Sequence, residues 1–366
     1  MRVLLVSANF RPHVGGIERF TENLAMGLAQ RGHEVKVVCC RHDDAPPYEE
    51  LDGFVVDRVR CGYMLDRRFN VPYPVPDPVR LLTTLRSAVA ESDVVHVQDS
   101  IYATSLLALL VARRRGASSV LTQHVAFVPQ RTRLLDAVER TALATVGRCA
   151  RLATVVAALN PAVAEWVEHQ WGIRGVKVMP VGVPVANPTT RDRAKTRLSF
   201  GLPPEQFLAL FVGRDVPKKG LDVFLGATDH AYELVAVTDR TDAGTAATVL
   251  PFMSAERLQE LLSCVDCFVL PSEGEGFPLT LQEAFGQGLP VVTTSQPGYE
   301  YYLGPEDVLY VDRNAGAVRE ALRRLATDDE LRRHLGERSA NVAKRHFGID
   351  RFVAAYEELY VYARGQ

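Results

Sequence analysis

The chain has 366 residues, 47% hydrophobic and 23% charged, with a formal net charge of −2. That is ordinary globular composition, long enough for two domains rather than one core. The charge gives no case for nucleic-acid binding. The longest apolar patch, residues 105–112, is far too short to cross a bilayer, and no signal-peptide layout precedes residues 3–6. A soluble, cytoplasmic protein is expected, with contact at a membrane surface left open.

Residues 2–8 read as a buried first strand and 9–16 as a loop ending in Gly15-Gly16. A helix over 17–30 follows and stops at Arg31-Gly32-His33; a second strand covers 34–40. A helix N-terminus after a glycine turn favours negative charge, although any strand-to-helix turn can carry Gly-Gly. Residues 41–78 read as irregular, with Pro46-Pro47 and a proline-alternating run over 71–78. Tyr63, Met64, Arg67, Arg68, Phe69 and Tyr73 bring aromatic and basic groups together there. A loop of this length is usually functional or disordered, and packing on its own domain is an equal alternative.

The next strand is expected over 93–98, a helix over 101–115, and a strand over 118–122 whose end carries Gln123-His124. A histidine at a strand's carboxyl end lies where open α/β sheets bind ligands. His96, inside a strand, reads as core or surface. Helices over 133–148 and 161–171 flank an apolar stretch at 151–157, and 176–179 closes the first domain. The Pro- and Gly-rich segment 180–188 reads as the linker.

The second domain opens with a strand at 207–212 and the loop Gly213-Arg214-Asp215-Val216-Pro217-Lys218-Lys219-Gly220. Two of only six lysines in the chain stand side by side in it; surface cations are the bland alternative to an anion grip. Strands at 234–237 and 249–250 are separated by a short connection, and a helix covers 255–263. An apolar strand, 267–270, leads into PSEGEGFPLTLQEAFGQGLPVVTT, residues 271–294. Gly274 and Gly276 bracket Glu275, so the backbone can turn sharply and offer its N–H groups to an anion. Pro278 suits the first turn of a helix whose apolar face is Leu279, Leu281, Ala284 and Phe285. Glu283 lies just over one turn in. A solvated loop with surface acids is the plain alternative. Another strand at 289–294 and helices over 315–326, 329–345 and 349–364 finish the chain.

Six cysteines include Cys264-Val265-Asp266-Cys267, but no second such pair accompanies it. Cys267 also opens a strand, so buried small hydrophobes are the better reading. No HExxH occurs, nor any Asp-x-Asp that could hold a metal against a diphosphate. No metal and no cofactor are expected.

Three stretches together carry a resemblance. They are P-x-x-GG-I-E with RGHEV near the start, G-R-x-x-x-x-K-G at 213–220, and E-G-F-P-L through Glu283-Ala284 with G-L-P-V-V at 288–292. They resemble the GT4-type retaining glycosyltransferases of the GT-B fold, over nearly the whole chain and most specifically over 265–294. The resemblance implies an α/β architecture of two facing Rossmann-like domains, each with a parallel sheet. The expected boundaries are 1–183 for the acceptor side, 184–346 for the nucleotide-sugar side, and 347–366 for a helix returning to the first domain. It also implies a UDP- or GDP-sugar donor and a small-molecule or lipid-linked acceptor hydroxyl, met in the cleft between the domains.

On that pattern Glu275 lies by the donor sugar, the amides after it (Gly276, Phe277, at the turn into Pro278) hold hydroxyls or phosphate, and Glu283 binds the ribose. Gly15 and Gly16 face the donor phosphates, Arg214 and Lys219 grip the diphosphate, His124 lies near the sugar, and Val249 and Leu250 lie beneath the base. Tyr63, Arg67, Arg68 and Tyr73 are the acceptor candidates. The chain departs from the pattern in three places. Val181 replaces the usual Asn, Asp215 the usual apolar residue, and 221–250 is trimmed. The trimmed part lacks the Gly-x-Gly loop that would add a nucleotide contact. A sugar-nucleotide epimerase of the same fold, or a non-catalytic two-domain sugar or nucleotide binder, are the alternative functions.

Overall fold

Runs such as 3–6, 208–212 and 267–270 are apolar at every position, the pattern of strands covered on both faces of a parallel sheet. A computed structural model of the chain describes residues 1–13, 15–42, 45–63, 73–126, 141, 143–185, 192–241, 244, 246–274 and 277–366. These divide into two compact units, Met1–Gly182 with Ile349–Gln366, and Val183–Gly348.

The first unit contains β1 (Arg2–Val6), β2 (Glu34–Cys40), β3 (Tyr48–Leu51), β4 (Phe54–Val59), β5 (Cys61–Gly62), β6 (Val75–Pro76), β7 (Val94–Gln98), β8 (Ser119–Gln123), β9 (Val155–Ala158) and β10 (Lys177–Val178). Eight of them form one sheet in the order β10-β9-β8-β7-β1-β2-β4-β3. Its pairings are parallel except for β3 with β4. Helices α1 (Gly16–Gln30), α2 (Pro78–Glu91), α3 (Ala103–Arg115) and α4 (Pro161–Trp171) flank it. Side chains alternate across each strand. Leu4, Val6, Val95, Val97 and Leu121 therefore share one core with Leu81 and Leu85 of α2 and Leu109 of α3.

Residues 41–78 are not irregular throughout, as their prolines suggested. Tyr48–Leu51 and Phe54–Val59 form a hairpin that extends the sheet, with Leu51 paired to Phe54. Asp52 and Gly53 make its turn at φ 46° and 86°. Positive φ at both turn residues matches the twist of paired strands, and Asp-Gly is the dipeptide that tolerates it. Residues 78–91, not assigned from the sequence, are helical: the Asp77 carboxylate accepts from the Val79 and Arg80 amides at 3.0 Å each, with Pro78 in the first turn. The helix expected over 133–148 lies largely outside the described residues, and 147–152 form a 3₁₀ turn before β9.

The second unit holds β11 (Leu208–Val212), β12 (Glu233–Val237), β13 (Thr248–Leu250), β14 (Cys267–Leu270), β15 (Val291–Thr293) and β16 (Leu309–Tyr310) in one sheet, order β13-β12-β11-β14-β15-β16. Every pairing is parallel. Its helices are α5 (Arg193–Ser199), α6 (Leu221–Leu225), α7 (Ala255–Leu262), α8 (Leu279–Gly286), α9 (Ala315–Thr327) and α10 (Asp329–His346). Phe211, Phe224, Phe268, Phe285 and Phe347 fill its core. Cys264 and Cys267 are fully buried there, and all six cysteines are free.

The last helix, α11 (Ile349–Arg364), belongs to the first unit although the second precedes it in the chain. Phe352 meets Phe20 of α1 edge to face at 5.1 Å, and Tyr356 meets the same ring at 5.7 Å. Glu357 takes Arg31 at 2.7 Å and His33 at 2.6 Å. Burying side chains such as Phe352 and Val353 stabilises by roughly 1.5–3 kcal/mol each. Both sheets are open, parallel apart from the β3 edge strand, and covered by helices, the Rossmann-like arrangement. Among the described residues no helix is long and apolar enough to cross a membrane.

Candidate functional site

In an open parallel sheet ligands bind outside the carboxyl ends of the strands, where the strand order reverses. In the second unit the reversal falls between β11 and β14: the chain runs outward through β12 and β13 on one side, then through β15 and β16 on the other. The two loops leaving that point are 213–220 and 271–278. They carry Arg214 and Lys219 on one, and Glu275, Gly276, Phe277 and Pro278 on the other.

Backbone geometry ties the loops together. The Glu273 amide donates to the Lys218 carbonyl at 2.8 Å. Residues 217–219 form a 3₁₀ turn closed by Gly220 at φ 74°. A Cβ there would stand 2.2 Å from the Pro271 carbonyl oxygen, so glycine is required twice over, by conformation and by space. Arg214 is exposed and Lys219 half-buried.

The acidic loop is held from its other side by Gln296. Its carbonyl oxygen accepts from the Gly274 amide at 2.9 Å, and its amide nitrogen donates to the Ser272 carbonyl at 2.7 Å. Thr294 donates to the same carbonyl through its hydroxyl. Glu275 and Gly276 themselves lie outside the described residues. Phe277, next in line, is anchored among Tyr299, Tyr302 and Phe347 at centroid distances of 4.9, 4.7 and 5.2 Å. Pro278 stands at the N-cap of α8 rather than within its first turn. Glu283 is 1% exposed. That rules out the surface-acid reading for this residue, because a carboxylate so buried needs partners.

Asp215, which replaces the apolar residue of the resembling pattern, has an account in the structure. Arg240 grips its carboxylate through Nε and Nη2 at 2.9 Å each and reaches Asp222 at 2.8 Å. The Asp215 amide donates to Asp239 at 2.6 Å. The Asp215 and Asp222 carboxylates hold the Arg240 guanidinium further above its already high range. The acid beside the cationic loop is thus matched by an arginine from the shortened β12–β13 connection. Val249 and Leu250 lie on β13, the edge strand, both half-buried.

In the first unit the order reverses between β1 and β7. The loop after β1 ends at Gly15, the N-cap of α1, with no side chain capping it, and Gly16 is the first helical residue. His124 follows β8 and is 6% exposed. Its ring stands edge-on to Phe20 at 4.7 Å, its amide donates to Asp99 at 2.8 Å, and its Nε2 meets the Gln98 Oε1 at 2.9 Å. Gln98 Oε1 is an acceptor, so the ring hydrogen sits on Nε2. Burial pulls His124 down to about 3 and pushes Asp99 up to about 7 against the pull of the His124 amide. His96 is core: Tyr360 and Thr122 bond its two ring nitrogens, each at 2.8 Å.

His124 is therefore neutral through the physiological range. Imidazole titration by NMR is expected to show no protonation of His124 between pH 5 and 8. A midpoint near the ordinary 6.5 would show a solvated ring and remove this environment from the site.

Tyr63 and Tyr73 flank the β5–β6 ladder, in which Gly62 pairs with Val75. Tyr63 packs on His42 at 4.2 Å, and His42 stacks on His13 at 4.8 Å. Tyr73 lies 5.5 Å from Tyr102. Arg67 and Arg68 fall outside the described residues. Sequence reasoning passed over Gln296, Arg240, His13 and His42. Only the lone arginine in the short 238–247 connection left any signal.

Residues 14–187 match the family model described as Glycosyltransferase Family 4, and residues 192–342 the one described as Glycosyl transferases group 1. The chain is 29% identical to a GDP-mannose-dependent alpha-mannosyltransferase of Mycobacterium tuberculosis (strain CDC 1551 / Oshkosh), over 81% of this chain and 80% of that protein. It is 27% identical to a D-inositol 3-phosphate glycosyltransferase of Xylanimonas cellulosilytica, over 99% and 97%. Among solved structures it resembles a sucrose-phosphate synthase from Thermosynechococcus elongatus with a TM-score of 0.73, at 19% identity over 99% of each chain. That last likeness is one of fold.

Proposed function

Because the chain belongs to glycosyltransferase family 4, with the GT-B fold, and transfers a sugar from a nucleotide sugar with retention of anomeric configuration, we propose that its donor site lies on the paired loops of the second unit. The observation that carries this reading is their union at the point of strand reversal. There the Glu273 amide bonds the Lys218 carbonyl at 2.8 Å and Gly220 abuts Pro271. In this reading Arg214 and Lys219 hold the diphosphate, Glu275 with the Gly276 and Phe277 amides faces the donor sugar at the turn into Pro278, and Glu283 takes the ribose. Val249 and Leu250 lie beneath the base. On the first unit, Gly15 and Gly16 offer a helix N-terminus to the phosphates, and neutral His124 serves the sugar as a hydrogen-bonding group, not as a cation.

The chemistry asks for these groups. As the bond from the anomeric carbon to the phosphate oxygen breaks, negative charge grows on the nucleoside diphosphate. Preorganised cations aimed at it lower the barrier. The acceptor oxygen bonds to the anomeric carbon on the same face, and its proton passes to the departing phosphate. Two fixed cations take the place a metal would fill.

The acceptor is a hydroxyl of a glycolipid, a growing polysaccharide or a specialised metabolite, met through Tyr63, Arg67, Arg68 and Tyr73. The two relatives, one named for its use of GDP-mannose and the other for inositol 3-phosphate, support a hexose donor and a polyol-like acceptor. Six free cysteines fit a reducing, cytoplasmic compartment.

A panel of UDP- and GDP-sugars with such acceptors, run with and without EDTA, tests the reading. Transfer from one donor class, equal in both conditions, is the expected result. An absolute requirement for magnesium or manganese would show that Arg214 and Lys219 do not carry the diphosphate alone.

A further inference from the structure

Arg313 bridges the two loops of the proposed donor site from outside them. It stands in the turn between β16 and α9, on a fixed base. The Val311 amide bonds the Thr293 carbonyl at 2.9 Å, and Asn314 caps α9 by accepting from the Ala317 amide at 2.9 Å. From there its guanidinium divides between the loops. Nε donates to the Pro271 carbonyl at 3.1 Å, Nη2 donates to the Pro217 carbonyl, and Nη1 lies 3.4 Å from the Glu273 carboxylate. Pro271 begins the acidic loop, and Pro217 begins the 3₁₀ turn that carries Lys219.

A planar guanidinium offers two carbonyls separate nitrogens at a fixed spacing, which the single nitrogen of an ammonium on its flexible stem does not reproduce. Both bonds go to neutral backbone oxygens, so they work through geometry. The Glu273 contact is a surface pair of little consequence by itself. We propose that Arg313 is a positioning residue that sets the register of the cationic loop against the acidic loop, and hence of the diphosphate against the sugar. The proposal rests on the reading of these loops as the donor site.

A misplacement of about 1 Å at a reacting centre can cost on the order of a hundredfold in rate. Ground-state binding is spread over groups that Arg313 does not touch, Glu283 on α8 among them. Arg313→Ala is therefore expected to lower kcat by about a hundredfold, with donor KM changed by less than about threefold. Arg313→Lys keeps the charge but loses the rigid fork that fixes the spacing of the two carbonyls, so it should recover little of the loss. The measurements are kcat, donor KM and melting temperature for both variants, beside Arg214→Ala. Full recovery by lysine would overturn the proposal in favour of simple charge. So would equal losses in kcat, KM and melting temperature, the sign of a merely structural arginine. If Arg313→Ala does not fold, the lysine variant alone decides: near-wild-type turnover sinks the proposal, and a kcat-specific loss sustains it. Wild-type turnover in Arg313→Ala beside a crippled Arg214→Ala overturns this inference only. Wild-type turnover in both overturns the reading beneath it.

Discussion

Alanine at Arg214 or at Lys219 is expected to lower turnover by about a hundredfold to a thousandfold, the range for removing one preorganised stabiliser of transition-state charge. That corresponds to roughly 3 kcal/mol. The stability of the second unit should hardly change. Arg214 is exposed, and the path of the loop is set by backbone contacts to Pro271 and Glu273, which neither substitution touches. Lys218→Ala is the matched control, expected to be milder because the G-R-x-x-x-x-K-G motif places Lys219, not Lys218, at its lysine. Wild-type turnover and unchanged donor affinity in both the Arg214 and Lys219 variants would remove the diphosphate from this loop.

Glutamine at Glu275 is expected to act on chemistry, and glutamine at Glu283 on binding. Glu275→Gln should lower kcat at least about a hundredfold while leaving affinity for free UDP or GDP nearly intact, since neither nucleotide contains the sugar. Glu283 sits on α8 at 1% exposure. There a carboxylate accepting from ribose hydroxyls makes charge-assisted bonds, worth about 1.5–3 kcal/mol. Its loss should raise donor KM by roughly tenfold to a hundredfold and weaken the free nucleoside diphosphate similarly. Calorimetric Kd values for the nucleotide separate the roles. Equal weakening in both variants would make the segment one nucleotide-binding unit.

Strand–loop–helix patterning made both Rossmann-like sheets and the positions of the 213–220 and 271–278 loops legible, because buried parallel strands leave long apolar runs and glycines mark the turns between them. The Asp52-Gly53 hairpin was equally legible in principle. Two acids in β3 and the neighbouring prolines hid its alternation, and its outer strand is only half-covered. Arg313 and Gln296 could not be read at all. Each bonds backbone more than twenty residues away, and a guanidinium aimed at carbonyls leaves no spacing in the chain. Asp215 looked anomalous because its partner, Arg240, comes from a connection shorter than the pattern leads one to expect. Only the fold brings the two together.

The placement of α11 has a consequence for synthesis. The residues that complete the first unit leave the ribosome only after all of Val183–Gly348. At about 5–20 residues per second the delay is roughly ten to thirty seconds. By the end of that interval the second unit has every residue it needs, whereas throughout it the first presents Phe20 and its neighbours on α1 without the aromatic rings that later cover them. The unit begun first is the one finished last, and in the meantime its uncovered aromatic face is the kind of transiently exposed apolar surface that chaperones exist to shield.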